Sequence, residues 1–286
     1  MVSLQQITDG LAMYTYTRQC LNVSLITFKE GLRNRVLYGT IIFALLVMFT
    51  STLVSGFFMR DISKIILDFC LSAISLGGLM VPLFLAVSLL SKDIERKTVY
   101  TILSRPVSRS QYILGKFGGL VLLTLAVVAT LTLAACLAVW MSHSLYAARF
   151  FQSFSWTAMF LAAFMSFLSL VVLSAVVVLW CTLTSSSFLA TLLTLFTYVI
   201  GHTLETVVRF IAVGTQDIQF SPIFKKAMTV AMYVFPNLSA FDIKLQAAHG
   251  VLPPANEIFF LLLYALAYVT AVLLLAMFVF QRRDLV

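Results

Sequence analysis

Few residues in this chain have types and spacings that could do chemistry. His202 and Glu205, three apart, offer two ligands to a metal, but no third ligand stands at matching spacing. An ion pair between Glu205 and Arg209, one helical turn on, explains the same residues. Cys20, Cys70, Cys136 and Cys181 are far apart and form no CxxC pair, so neither a disulfide framework nor a metal site is expected. There is no GxxxxGK[ST] phosphate loop. No spacing marks a Ser/His/Asp arrangement, and no paired carboxylates lie within the apolar runs, which argues against both intramembrane hydrolysis and proton-coupled transport. The expectation is a chain that is not an enzyme. What remains is a concentration of charge in one stretch, Lys92–Lys116, reading KDIERKTVYTILSRPVSRSQYILGK. Such residues could grip another protein.

The elements that must position that stretch follow from composition. Of 286 residues, 61% are hydrophobic and 10% charged, with a mean hydropathy of +1.03. A soluble domain carries about 25% charged residues, and this chain could not cover a water-facing surface. Charge-free runs place six spans, at about 36–58, 69–91, 117–140, 156–183, 187–204 and 258–280, each near the ~20 residues that cross a bilayer. Thr184-Ser185-Ser186-Ser187 divides the longest run in two. The fold class is therefore all-α integral membrane.

Six spans put both termini on one side, and Lys and Arg identify it as the cytoplasm. Arg18, Lys29, Arg33, Arg35, Lys92, Arg96, Lys97, Arg105, Arg109, Lys116, Arg282 and Arg283 face five acids there (Asp9, Glu30, Asp93, Glu95 and Asp284). Seven of the eight net positive charges thus fall on the cytoplasmic side.

Residues 1–35 show no cleavable signal peptide, since Arg18 interrupts the best apolar stretch. Leu4, Ile7, Leu11, Tyr14, Leu21, Leu25, Phe28 and Leu32 instead recur at helical spacing, with Gly10 as a candidate break. This cytoplasmic segment reads as an amphipathic helix lying in the membrane interface, or packed against a partner subunit.

In the loop 92–116, Asp93 and Lys97 can pair on one helical face, while Pro106 ends that helix near Ser104. Ser108 and Gln111 have capping-box spacing for the third span. The loop is either a basic turn that satisfies the charge rule or a docking element. Outside, the loop 205–257 holds a 13-residue apolar stretch, Ile223–Phe235, too short to span; it reads as a re-entrant or surface helix. Pro82, behind Gly77-Gly78, frees a backbone carbonyl and kinks the second span, as a hinge or as a static bend.

These residues resemble the permease subunits of ABC type-2 exporters. Glu95, Arg96, Thr98, Leu103, Pro106, Ser108, Arg109, Gly115 and Lys116 match the family's motif between its second and third spans. "FKEGLRNRVLYG", with Glu30, Arg33 and Arg35, is similar to its lead-in to the first span. "YVFPNLSAFDIK", with Pro236, Asn237, Phe241 and Asp242, is similar to its segment before the last. The resemblance implies a bacterial inner-membrane exporter subunit that pairs with a second permease copy or a paralogue. It also implies a separate cytosolic ABC ATPase, in two copies, that binds the ATP and Mg; this chain itself would hold no cofactor.

The residues expected to dock that ATPase are Lys92, Asp93, Ile94, Glu95, Arg96, Lys97, Thr98, Val99, Tyr100, Ile102 and Leu103, forming a coupling helix. Pro236, Asn237 and Phe241 would belong to an outer lid. Membrane lipid is the other expected partner, and nucleic acid is not one. The alternative is a mechanotransmission subunit that moves an extracytoplasmic partner and passes no substrate.

Overall fold

The computed structural model describes residues 4–55, 62–90, 108–145, 154–213, 226, 230–232 and 234–282. These residues form helices: α1 (Leu4–Leu32), α2 (Arg35–Ser55), α3 (Ile62–Met80), α4 (Arg109–Leu145), α5 (Trp156–Leu183), α6 (Ser187–Val213), the short α7 (Lys244–Ala248) and α8 (Ala255–Arg282). The helix of α3 continues through a π-helical turn, Val81–Ala86, to Leu90. Six helices are long and apolar enough to cross a membrane, α2 to α6 and α8, so the six-span, all-α reading holds.

Hydrocarbon offers backbone groups no water, so a crossing segment must close its hydrogen bonds internally. Hydroxyls inside the spans obey the same demand. Thr124 donates to the Leu120 carbonyl at 2.8 Å, Thr132 to Val128 at 2.7 Å, and Ser174 to Leu170 at 2.8 Å. These side chains bond to carbonyls one turn back in their own helices and require no partner across the bundle.

Two helices outrun their charge-free stretches. α3 begins at Ile62, seven residues before Phe69, and carries Lys64 and Asp68 on its first two turns. α4 begins at Arg109 rather than 117, with Arg109 and Lys116 inside it. The tetrad at 184–187 does break the longest run. Thr184 is extended and its N–H returns to the Trp180 carbonyl at 2.9 Å, and α6 starts at Ser187. Ser155 caps α5, its side chain accepting from the Ala158 N–H.

α3 and α5 form the middle of the bundle. Most of their span residues are buried, while α2, α6 and α8 keep broad apolar faces outward, including Phe43, Phe49, Phe196, Phe259 and Phe260. α4 packs against both central helices and against α2. Gly77 lets α3 approach closely, since a Cβ there would sit 3.3 Å from the Ala44 Cβ of α2 and 2.8 Å from the Leu131 side chain of α4.

Pro82 is buried at the start of the π-helical turn, with Val81, Leu83, Leu85 and Ala86 packed around it. The missing proline N–H leaves the α-helical ladder one donor short, and the widened turn accommodates the gap.

α1 departs from the expectation in one respect. It is continuous through Gly10. It also lies along α4, where α4 offers Gly115, Gly118 and Gly119 to Val23, Ser24 and Thr27.

Candidate functional site: the frame of the cytoplasmic loop and the outer segment

The sequence-predicted docking residues, Lys92, Asp93, Ile94, Glu95, Arg96, Lys97, Thr98, Val99, Tyr100, Ile102 and Leu103, lie outside the described residues, as does Pro106. The structure does describe the frame from which that loop departs at Leu90 and to which it returns at Ser108. Four residues of the expected motif, Ser108, Arg109, Gly115 and Lys116, sit in that frame.

Ser108 and Gln111 make the reciprocal cap their spacing predicts. The Ser108 N–H donates to Gln111 Oε1 at 2.7 Å, and the Gln111 N–H donates to Ser108 Oγ at 3.3 Å. Arg109, on the first turn of α4, reaches the far end of the chain. Its Nη1 donates to the Phe280 carbonyl at 3.2 Å and to the Gln281 carbonyl at 2.9 Å. Those carbonyls belong to the last turn of α8, which has no intrahelical donors for them and carries the negative end of the helix dipole. A turn further along α4, the buried Tyr112 ring stacks on Phe280 with centroids 5.9 Å apart.

Lys116 is the buried cation of the frame, 3% exposed. Its Nζ donates to the Leu89 carbonyl at 3.3 Å, one residue before the described part of α3 ends, and stands 3.9 Å from a Glu30 carboxylate oxygen on α1. It also lies 5.8 Å from the centre of the Tyr112 ring. One ammonium therefore ties α1, the end of α3 and α4 together. The ion pair contributes the smaller part, because Glu30 is half-exposed and the separation is long.

Gly115 and Gly119 make this junction sterically feasible. A Cβ on Gly115 would lie 3.0 Å from the Cys20 carbonyl oxygen, and one on Gly119 2.7 Å from the Ser24 carbonyl oxygen. The two helices meet backbone to backbone along this seam. Burial against it pushes the Cys20 thiol above its ordinary value.

The outer segment is held as firmly. The Leu238 N–H donates to the Gly201 carbonyl of α6 at 3.1 Å. Pro236 presses on the same glycine, where a Cβ would come within 2.7 Å of the proline carbonyl. Asn237 donates its backbone N–H to Tyr264 Oη at 2.9 Å and its amide to Glu205 at 3.1 Å. The same Glu205 carboxylate accepts from Ser239 Oγ at 2.7 Å. Tyr268 Oη donates to the Val234 carbonyl at 3.1 Å.

Phe241 is buried, its ring 6.1 Å from that of Tyr264. Pro236, Asn237 and Phe241 are thus inserted among the ends of the spans rather than resting above them. The stretch Ile223–Phe235 lies largely outside the described residues.

Sequence reasoning did not find Glu205 as the anchor of this segment; it had paired Glu205 with Arg209, whose side chain lies outside the described residues. Among the described residues no group of three His, Cys, Asp or Glu is placed to hold a metal.

The family model of the ABC-2 family transporter proteins matches residues 21–285. No curated protein matches the chain.

Proposed function

The chain belongs to the ABC-2 family of transporter proteins, and from that premise we propose that this multi-pass protein is the permease subunit of an ABC exporter, driven by ATP hydrolysis on a separate cytosolic subunit. The observation that carries the reading is the frame of the loop 92–107. One end of the loop leaves α3 just after the Leu89 carbonyl held by buried Lys116, and the other enters α4 at Ser108, beside the Arg109 clamp on α8. A force that reaches the two ends of the loop is delivered to three spans and to α1.

In this reading Lys92–Leu103 docks on the ATPase, with Glu95 and Arg96 as its ion-pair partners. ATP and Mg sit on that partner, in two copies that meet a dimer of permeases in a bacterial inner membrane, both termini of each permease cytoplasmic. Closure of the ATPases displaces the two loops, and the spans rearrange around the substrate. The apolar outward faces of α2, α6 and α8 supply surfaces for lipid and for the second permease.

The test is co-purification with the ATPase of the same operon, followed by measurement of ATP hydrolysis in the reconstituted complex. Glu95→Lys should leave the permease folded and uncouple hydrolysis from export. A complex whose ATP hydrolysis and export are both unchanged by Glu95→Lys would overturn the docking assignment. Failure of the chain to bind any ATPase would overturn the proposal as a whole.

A further inference from the structure

At the outer end of the bundle, α3, α5, α6 and the segment after Pro236 enclose a polar cleft. Its upper part is an open bowl of about 480 Å³ with Asp68, Ser72, Thr206 and Ser239 on its wall. The lower part is a narrow crevice of about 20 Å³ that reaches Ser75, Ser166 and Ser169 between α3 and α5 and also meets Tyr198 and Phe241. His202, Asp242 and Lys244 line both parts and form the neck between them. Asp68, Ser72 and Ser75 lie four and three residues apart on one face of α3. At about 1.5 Å per residue this stripe descends roughly 10 Å toward the bilayer centre.

The lining is not explained by packing. Other span hydroxyls return to a carbonyl of their own helix, as Thr124 and Ser174 do. Ser72, Ser169 and Thr206 make no hydrogen bond among the described residues, and no buried side-chain polar atom there is left unsatisfied, so these hydroxyls face the open volume. Deeper in, Ser75 and Ser166 share one hydrogen bond of 3.3 Å.

The charges are equally specific. Lys244 pairs with Asp242 at 3.5 Å, whereas Asp68 is exposed to the bowl and has no ion-pair partner among the described residues. The cleft therefore holds two carboxylates against one ammonium, on a chain whose net charge is +8.

The geometry points to a head-group site: the cleft takes the primary ammonium and phosphate of a zwitterionic phospholipid from the outer leaflet, the ammonium on Asp68 and the phosphate on Lys244. A primary ammonium has three N–H donors, and the Asp68 carboxylate with the Ser72 and Thr206 hydroxyls supplies oxygen acceptors for them. A quaternary ammonium has no such donors and is recognised by aromatic faces, but no Phe, Tyr or Trp lines the bowl, and Tyr198 and Phe241 line only the crevice below it, too small for a head group. An anionic head group without an amine would meet the carboxylates uncompensated. The bilayer is the source because the bowl opens at the ends of α3 and α6, with the exposed Leu245 on its wall. This site stands apart from the cytoplasmic loop and does not depend on any ATPase.

The experiment uses the purified full-length chain in phosphatidylcholine nanodiscs doped equally with phosphatidylethanolamine and phosphatidylglycerol, and native mass spectrometry counts the lipids retained. Phosphatidylethanolamine should be retained over the other two by roughly tenfold, the worth of about one charge-assisted hydrogen bond. Asp68→Asn, at an exposed position, should abolish that preference while leaving the melting temperature unchanged, and Lys244→Gln should weaken it. Equal retention of the three lipids, or a preference that survives Asp68→Asn, would overturn the site. The bilayer as source is overturned if free O-phosphoethanolamine saturates the chain while phosphatidylethanolamine at the same concentration leaves it empty.

Discussion

Replacing Gly119 by Ala tests the seam that joins α1 to α4. The added Cβ would lie 2.7 Å from the Ser24 carbonyl oxygen and 2.6 Å from the Thr27 Cβ. Ordinary contact begins near 3.4 Å, so α1 must retreat by about 0.7 Å, and the obstacle is backbone that cannot rotate aside. A gap of that size forfeits about a quarter to a half of each dispersion contact along the seam, and overpacking of this kind costs ~1–3 kcal/mol. Helix propensity works the other way, since Ala is favoured over Gly by up to about 1 kcal/mol. The net expectation is a loss of roughly 0–2 kcal/mol.

Gly39→Ala isolates the propensity term, because a Cβ there meets nothing within 4 Å, and it should be neutral or stabilising. Thermal unfolding of the purified protein reads the difference, and alkylation of Cys20 at pH 7 reads the geometry. Burial holds that thiol above its ordinary value and so keeps it protonated. Lifting α1 restores thiolate and speeds the reaction. If Gly119→Ala melts at or above the parent protein and Cys20 reacts no faster, the helices do not meet as argued.

Three further outcomes follow from the same contacts. Lys116→Met should cost ~1–3 kcal/mol by stripping the Leu89 carbonyl of its donor, whereas Glu30→Gln should cost less than ~1 kcal/mol, and paired melting curves compare them. Arg109→Gln should raise amide hydrogen exchange in the last turn of α8 and leave the middle of that helix protected, because the two carbonyls that lose their charged donor are Phe280 and Gln281. Gly201→Ala should push Pro236 off α6, and Glu205→Gln should weaken the bonds from Asn237 and Ser239. Either change should expose the 236–241 segment to limited proteolysis, and resistance equal to the parent's would refute the anchoring.

The span count was legible because hydrocarbon enforces it: a run without charge, long enough to cross, has few alternatives to a helix. The Ser108–Gln111 cap was legible because both partners lie within one turn. Charge-free counting failed at the helix ends for a physical reason. Arg109 and Lys116 enter α4 because carbonyls of α8 and α3 receive their protons, and those partners stand 171 and 27 residues away. No local pattern shows such a pairing. Gly115 reads as part of a family motif and Gly119 carries no signal of its own, yet the contribution of both is the absence of a side chain opposite another backbone. The anchoring of the 236–241 segment was not legible because Gly201 and Glu205, which supply its floor and its acceptor, stand on a different helix more than 30 residues away.

α8 is fastened at both ends. At its C-terminal end Arg109 holds the Phe280 and Gln281 carbonyls, and toward its N-terminal end Tyr264 and Tyr268 hold the backbone at Asn237 and Val234. Between these attachments much of its surface faces away from the bundle, while Ala265, Val272, Leu273 and Ala276 are buried where α8 packs on α5 and α4. α3, by contrast, is buried along most of its length and carries the other end of the cytoplasmic loop through Lys116. The two ends of one loop are therefore tied to helices of unequal burial, one enclosed by the bundle and one at its edge. In the function proposed above, a displacement of the loop would load α8 and α3 together, and because the 234–241 segment is bonded to α8 and α6, the Pro236–Phe241 segment is the part of the opposite end placed to receive it.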